Sequence, residues 1–123
     1  MKRVYLCSPY RAVDKSARRR YTTYLRRALR DSMMREEAPF ASHAFYPQIL
    51  DDSKDGERKL GIVLGHLWLA SSDLVAVYAD YGLSQGMQVD MAEASARGKP
   101  IEVRYILRAG IRHGRVRSGA KQR

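Results

Sequence analysis

The sequence predicts an α/β protein, a three-layer sandwich in which helices cover a parallel sheet of four or five strands. Short apolar runs alternate with longer amphipathic segments, which is the order of parallel strands joined by crossover helices. The run 74–79 is almost continuously apolar, as expected of a strand that is covered on both faces.

The first half of the chain contains two predicted strands and one helix. Residues 2–7 form the first strand, and a proline shortly after them ends it because proline cannot continue a central strand. A helix is predicted over 14–35, with Asp14 as its N-cap. Residues 39–41 form a short second strand, and the loop 42–47 follows at the carboxyl edge of the sheet.

The second half continues the alternation. A second helix is predicted over 57–71, and the run 74–79 is the third strand. The third helix spans 85–97, ends at Gly98 as a C-cap, and leads into a fourth strand at 101–106. This order is typical of flavodoxin-like and Rossmann-like sheets. The apolar positions of the second helix, which we expect to face the core, are Leu60, Val63, Leu64, Leu67 and Trp68.

Length and charge limit the class of protein. With 123 residues and 45% hydrophobic residues, we expect one domain over 1–107 and no membrane span. The formal charge is +10, and the segment 108–123 contains six lysine or arginine residues and no acidic one. This segment is predicted to be a disordered tail that either binds nucleic acid or is simply solvated. A second basic cluster is expected to be the solvated face of the first helix: Arg18, Arg19, Arg20, Arg26, Arg27 and Arg30.

Cys7 is the single cysteine, so no internal disulfide forms. We expect it to be a small buried residue at the end of the first strand, in a protein of the reducing cytoplasm; a catalytic role is the less favoured alternative. No cysteine and histidine residues have the spacing of metal ligands, and we expect neither a metal nor another cofactor.

The loop and helix that follow the third strand form the main candidate site. Open α/β sheets bind ligands at the carboxyl edge of their strands. Ser84, Gly86 and Met87 lie at the start of the third helix, where free N–H groups and the helix dipole favour an anion. Asp90 follows about one turn later and can project into the same crevice. A phosphate cradle beside a carboxylate suits chemistry at the sugar of a nucleotide.

Further candidates come from other segments at this edge. His43 can contact a base or a ribose hydroxyl through its neutral imidazole, or it can cap a loop carbonyl. Ser8, Tyr10 and Arg11 follow the first strand; Tyr10 can stack on a base and Arg11 can pair with a phosphate.

Four other polar residues are weaker candidates. Asp51 and Asp52 are expected to form a turn, although they can reach the rim of the site. Glu93 follows Asp90 by three residues and is expected to face solvent. His66 lies next to Leu67, and neighbouring residues of a helix point about 100° apart. His66 is therefore expected to point away from the ligand, which position 67 would face.

The chain resembles the nucleoside 2-deoxyribosyltransferase-like superfamily, and in particular its small bacterial and phage members. Five blocks in the same order as in that superfamily carry the resemblance. They are VYLCSPYR at 4–11, PFASHAFYPQILDD at 39–52, ERKLGI at 57–62, SDLVAVY at 72–78 and LSQGMQVDMAEASARGKPI at 83–101.

The resemblance implies cleavage of the N-glycosidic bond of a nucleoside or nucleoside monophosphate. Enzymes of the superfamily have a loop of the form Ser-x-Gly-Val-Gly-x-Glu, and here residues 84–90 match it. By this resemblance Asp90 is the nucleophile, and Ser84 and the Gly86 N–H bind the 5′ end. Aspartate replaces the family's glutamate, and Leu67 occupies the position of an acid that assists the base. The resemblance also implies a homodimer.

The sequence therefore predicts a hydrolase or transferase that acts on a nucleoside or nucleotide. The alternative is a nucleotide-binding protein without turnover, associated with nucleic acid through its basic tail. The shortened side chain at position 90 and the missing acid at Leu67 favour this alternative.

Overall fold

The structure of the protein is a computed structural model that describes residues 1–107. The predicted tail, 108–123, lies outside the described residues. Four strands and three helices alternate in the order β1 Arg3–Cys7, α1 Lys15–Met34, β2 Ala38–Phe40, α2 Asp55–Ala70, β3 Leu74–Tyr78, α3 Gln85–Ala96 and β4 Ile101–Arg104. All strand pairs are parallel, and the order across the sheet is β2-β1-β3-β4.

The helices cover both faces of the sheet, which confirms the predicted three-layer α/β class. Alternate residues of a strand point to opposite faces, so β1 contributes Val4 and Leu6 to one side and Tyr5 and Cys7 to the other. On the first side these residues pack against α1. On the second side the core includes Leu69 of α2 together with residues of α3. Strand β3 is buried along its whole length, as its continuous apolar run predicts.

Local signals at two helix ends are confirmed. The side chain of Asp14 accepts a hydrogen bond from the Ala17 N–H at 2.8 Å and caps α1. Gly98 adopts a φ of 68° after α3, a conformation that favours glycine, and the Lys99 N–H then reaches the Ala94 carbonyl at 2.9 Å. These caps depend only on residues close in sequence.

Element bounds differ from the prediction by a few residues. Helix α2 begins at Asp55, two residues earlier than expected, and β4 ends at Arg104. The predicted loop after β2 contains two short 3-10 turns, Ser42–Ala44 and Tyr46–Gln48. No helix in the described part of the chain is long and apolar enough to cross a membrane.

The prediction for the buried face of α2 is wrong for four of its five residues; the fifth, Leu64, is partly buried. Its fully buried residues are Gly65 and Leu69, whereas Leu60, Val63, Leu67 and Trp68 are between 47% and 58% exposed. Gly65 explains why α2 is rotated about its own axis relative to the predicted orientation. A Cβ at this position would lie about 3.0 Å from the Tyr5 hydroxyl, so the absent side chain lets this face of α2 approach the sheet closely.

Candidate active site

A cavity of about 550 Å³ opens at the carboxyl edge of the sheet, between the loops that follow β1, β2 and β3. This volume lies in the range of small-molecule sites. All eight main site residues predicted from the sequence line it: Ser8, Tyr10, Arg11, His43, Ser84, Gly86, Met87 and Asp90. The fold thus brings together residues from three separate segments, and their chemical roles stay predictions.

Asp90 lies in the second turn of α3, and its carboxylate is fixed from two sides. His66 Nε2 lies 2.9 Å from Oδ1 and donates to it, while the Cys7 thiol lies 3.8 Å from Oδ2. Burial raises the pKa of Asp90 above its usual value, and the hydrogen bond from His66 opposes that shift. The site therefore holds a carboxylate that is partly desolvated and more basic than an exposed aspartate.

His66 does not turn away from the site, so that prediction is wrong. The helical position beside it, Leu67, is the one that faces solvent, with 58% exposure. The second ring nitrogen of His66, Nδ1, lies 3.9 Å from Glu93, which also pairs with Arg97. The imidazole thus lies between two carboxylates of α3. Glu93 faces His66 and is half-buried rather than fully solvated.

The first turn of α3 supplies exposed amide groups. The Ser84 hydroxyl oxygen accepts from the Met87 N–H at 3.2 Å and caps the helix. The N–H groups of Gln85 and Gly86 precede the first intrahelical hydrogen bonds and point out of the helix end. A Cβ at Gly86 would meet nothing within 4 Å, so open space lies next to this amide. Met87 is buried, and its side chain belongs to the core below the cavity.

His43 and Ser8 form a second polar pair in the cavity. The Ser8 hydroxyl lies 2.7 Å from His43 Nε2. Burial lowers the pKa of His43 to about 4, so the ring is neutral near pH 7. Tyr10 packs edge-on against this ring, with centroids 6.4 Å apart. A neutral imidazole in this place can form hydrogen bonds with a ligand, but it is not a proton source at neutral pH.

The outer rim carries charges of both signs. Arg11 lies 3.5 Å from Asp52 in an exposed, weak ion pair that leaves the guanidinium accessible. Asp51 accepts hydrogen bonds from Ser53 and forms the predicted turn. Arg58 also lines the cavity, although the sequence did not mark it.

Tyr5, Ser42 and Cys7 are inner residues of the site, and Tyr5 and Ser42 were not among the predicted site residues. Tyr5 is buried, and its hydroxyl lies 2.8 Å from Ser42 Oγ at the cavity wall. Burial and the nearby Asp90 charge raise the pKa of Tyr5, so the hydroxyl stays protonated. Cys7 is buried as predicted, and burial together with Asp90 raises its pKa. A thiol in this state is a poor nucleophile. Within residues 1–107 no group of three or more His, Cys, Asp or Glu side chains is arranged to hold a metal.

Comparisons with known proteins place the chain in a family. Residues 2–104 match the family described as Domain of unknown function (DUF7768). No curated protein matches the chain. Among solved structures, a 2-deoxyribosyltransferase from the psychrotolerant bacterium Bacillus psychrosaccharolyticus is similar, with a TM-score of 0.60 and 14% identity over 84% of this chain and 72% of that one. At this identity the likeness concerns the fold. The chain therefore belongs to the DUF7768 family, and its fold is that of the 2-deoxyribosyltransferase.

Proposed function

We propose that the protein cleaves the N-glycosidic bond of a nucleoside or nucleoside monophosphate, with Asp90 as the nucleophile. The sugar then passes either to water or to a second base. The observation that carries this proposal is the position of the Asp90 carboxylate, which lines a cavity about one helical turn beyond the exposed amides of α3. An anionic 5′ group at these amides places the sugar beside the carboxylate.

The chemistry follows from this placement. As the bond between C1′ and the base nitrogen breaks, its electron pair leaves with the base, which takes a proton from solvent water, and C1′ gains positive charge. A carboxylate oxygen of Asp90 then bonds to C1′ and forms a glycosyl ester. Attack by water or by another base nitrogen then breaks this ester, restores the carboxylate and releases the attacking group's proton to solvent. His66 holds Asp90 through Oδ1 and so fixes the direction of the side chain.

Other cavity residues are assigned to binding. Ser84 and the Gly86 N–H hold the 5′-phosphate or 5′-hydroxyl, and Arg11 contributes charge at the rim. Neutral His43 forms a hydrogen bond with the base, since its lowered pKa prevents it from acting as a cation near pH 7. Tyr10, which packs on His43, supplies a surface for stacking.

A binding protein without turnover is the second candidate. The contacts of Asp90 favour this second candidate, because both oxygens of its carboxylate already have partners, His66 and Cys7. Aspartate is also one methylene shorter than the glutamate of the resembling enzymes, and a misplacement of about 1 Å can cost on the order of a hundredfold in rate. Calorimetry distinguishes the two: this candidate predicts a measurable Kd for a nucleotide with no free base after hours of incubation.

The activity test is a panel of deoxynucleosides, ribonucleosides and their 5′-monophosphates, with chromatographic detection of free base. Release of a base by the native protein supports the proposal. Asp90→Asn should abolish it, whereas Asp55→Asn removes a carboxylate outside the cavity and should not. Equal release by Asp90→Asn and the native protein would rule out the mechanism.

We further propose a homodimer formed through α2. Its outward side is an apolar patch of Leu60, Val63, Leu67 and Trp68, all about half exposed. Burying this patch and its surroundings in two copies removes on the order of 1,000 Å² from water, close to the lower limit of stable interfaces. A single cysteine favours the cytoplasm, and a bacterial or phage origin follows from the resemblance alone.

A further inference from the structure

We propose that the outer face of α1 binds the phosphodiester backbone of nucleic acid. We define the α1 stripe as Lys15, Arg19, Arg26 and Arg30, with Arg20 and Arg27 beside it. This surface lies outside the cavity, and the proposal does not depend on the chemistry of Asp90. The sequence predicts that the arginines of this surface are only a solvated face, and the structure adds two features that such a face does not require.

The first feature is the absence of balancing carboxylates. Helix α1 carries seven lysine or arginine residues and one acidic residue, Asp31. Asp31 is already bound to Arg35 and to the Tyr78 hydroxyl. In the described part of the chain, no carboxylate lies within ion-pair distance of any residue of the α1 stripe.

Helix α2 shows the contrast within the same molecule. Arg58 and Lys59 both pair with Asp55, at 3.6 and 3.0 Å. An ordinary solvated helix face intersperses charges of both signs, since pairs three or four residues apart stabilise the helix. Helix α1 instead keeps an excess of positive charge, which repels itself unless an anion is bound.

The second feature is alignment. At about 100° per residue, the four residues of the α1 stripe fall within an arc of about 60°. They lie opposite the buried side of the helix, which Ala17, Tyr24 and Ala28 form. From Lys15 to Arg30 the stripe is about 22 Å long. This length spans about six phosphates of one strand of a duplex.

The side chains suit phosphate in particular. Five of the six cations are arginine, whose planar fork matches two phosphate oxygens. Thr22 and Thr23 are exposed between them and add hydroxyl donors. The stripe contains no aromatic residue that would stack on a base. We therefore expect binding through the backbone, without sequence preference.

An anionic membrane is the other polyanion to consider. Peripheral helices insert an apolar face into the interface. The apolar side of α1 is already buried against the sheet, through residues such as Tyr24 and Leu25. A membrane would thus gain electrostatic attraction alone, which makes nucleic acid the better fit.

Two contacts connect α1 with the cavity and with the last described residues. Arg18 of α1 lies over the ring of Tyr10, 5.1 Å from its centroid, and Tyr10 lines the cavity. At the other end, Asp80 accepts from the Leu107 N–H at 3.0 Å and from the Tyr24 hydroxyl of α1 at 2.6 Å. The chain therefore leaves the described region beside α1, and its sequence continues with six more cations.

The test compares three full-length proteins by fluorescence anisotropy with a labelled DNA strand of about 20 nucleotides and its duplex, over a salt titration. The α1 variant carries Arg19→Gln, Arg26→Gln and Arg30→Gln. The control carries Lys2→Gln, Lys54→Gln and Lys59→Gln, which removes the same charge from other exposed positions. Circular dichroism confirms that each protein is folded.

We expect the native protein to bind both DNA forms with a steep dependence on salt. If each arginine contacts one phosphate, the slope of log K against log salt changes by about 2 for the single strand and about 3 for the duplex, and the α1 variant loses at least about a hundredfold in affinity near 0.1 M salt. The control should stay close to the native protein. Equal loss in both variants, or no DNA binding by the native protein at low salt, would overturn the proposal. Tighter binding to phosphatidylserine vesicles than to DNA through the same residues would also overturn it.

Discussion

His66 Nε2 lies 2.9 Å from Asp90 Oδ1, so a residue of α2 holds the carboxylate that α3 presents to the cavity. The two residues are 24 positions apart in sequence and meet because α2 and α3 pack on the same face of the sheet. This contact opposes the effect of burial on the Asp90 pKa. It links the acid–base state of the site to the packing of two helices.

Asp90→Asn should reduce the rate of base release by about a thousandfold or more. The same substitution should raise the thermal stability of the protein. Burial raises the folded-state pKa of Asp90, so its ionised form destabilises the native state once the pH exceeds that pKa. The neutral amide avoids this cost. The gain in Tm should therefore be present near pH 7 and disappear below about pH 3, where the aspartate is protonated in both the folded and the unfolded state. A lower Tm for the variant near pH 7 would contradict this account.

His66→Gln should shift the acid limb of the pH–rate profile. Asp90 must be ionised to attack, so activity falls as the pH drops through its pKa. The hydrogen bond from His66 lowers that pKa. Weakening the bond should move the limb to higher pH and reduce kcat on the order of tenfold, with KM little changed. An unchanged profile would show that His66 does not act on the nucleophile. Lys59→Gln, an exposed change on the same helix, is the control.

Gly86→Ala should weaken binding of a nucleoside monophosphate about tenfold, or about 1.4 kcal/mol, and leave nucleoside binding nearly unchanged. The new methyl group meets no protein atom within 4 Å, so it enters the space assigned to the phosphate. Gly56→Ala is a matched control, since Gly56 is also the second residue of a helix, is equally unobstructed and lies outside the cavity. Equal calorimetric affinities for the monophosphate in both variants would remove the phosphate cradle from the proposal.

The native protein should sediment at twice the 14.1 kDa of one chain. Leu67→Glu places a charge in the apolar patch of α2 and should yield monomers, because a carboxylate in an apolar interface is strongly unfavourable. Val13→Glu changes another exposed apolar residue, away from α2, and should remain dimeric. A native protein that sediments as a single chain would show that α2 has another role or none.

The fold could be predicted where the signal is local or concerns only chain order. The apolar run of β3, the cap at Asp14 and the glycine after α3 each depend on neighbouring residues, and the parallel topology follows from their alternation. The rotation of α2 could not be predicted in this way. Periodicity predicts that its strongest apolar stripe faces the core of its own chain, whereas Gly65 and Leu69 occupy that side.

The error at His66 followed from the error in α2. If Leu67 faced the ligand, the neighbouring His66 would point away from it. In the structure α2 is rotated about its axis, so that Leu67 faces solvent and His66 contacts Asp90. The small residue Gly65 was the available signal, because it marks the side of a helix that can approach a sheet closely. The pairing of Ser8 with His43 had no sequence signal, since it depends on how two loops meet.

The most direct measurement of the central claim is a covalent trap. A nucleotide with fluorine at the 2′ position slows hydrolysis of a glycosyl ester and lets the adduct accumulate for mass spectrometry of the intact protein and its peptides. If Asp90 is the nucleophile, the protein gains the mass of one fluorosugar phosphate on the peptide that contains Asp90, and Asp90→Asn gains none. Release of base with no adduct on the protein, or with the label on Glu93, would contradict the account.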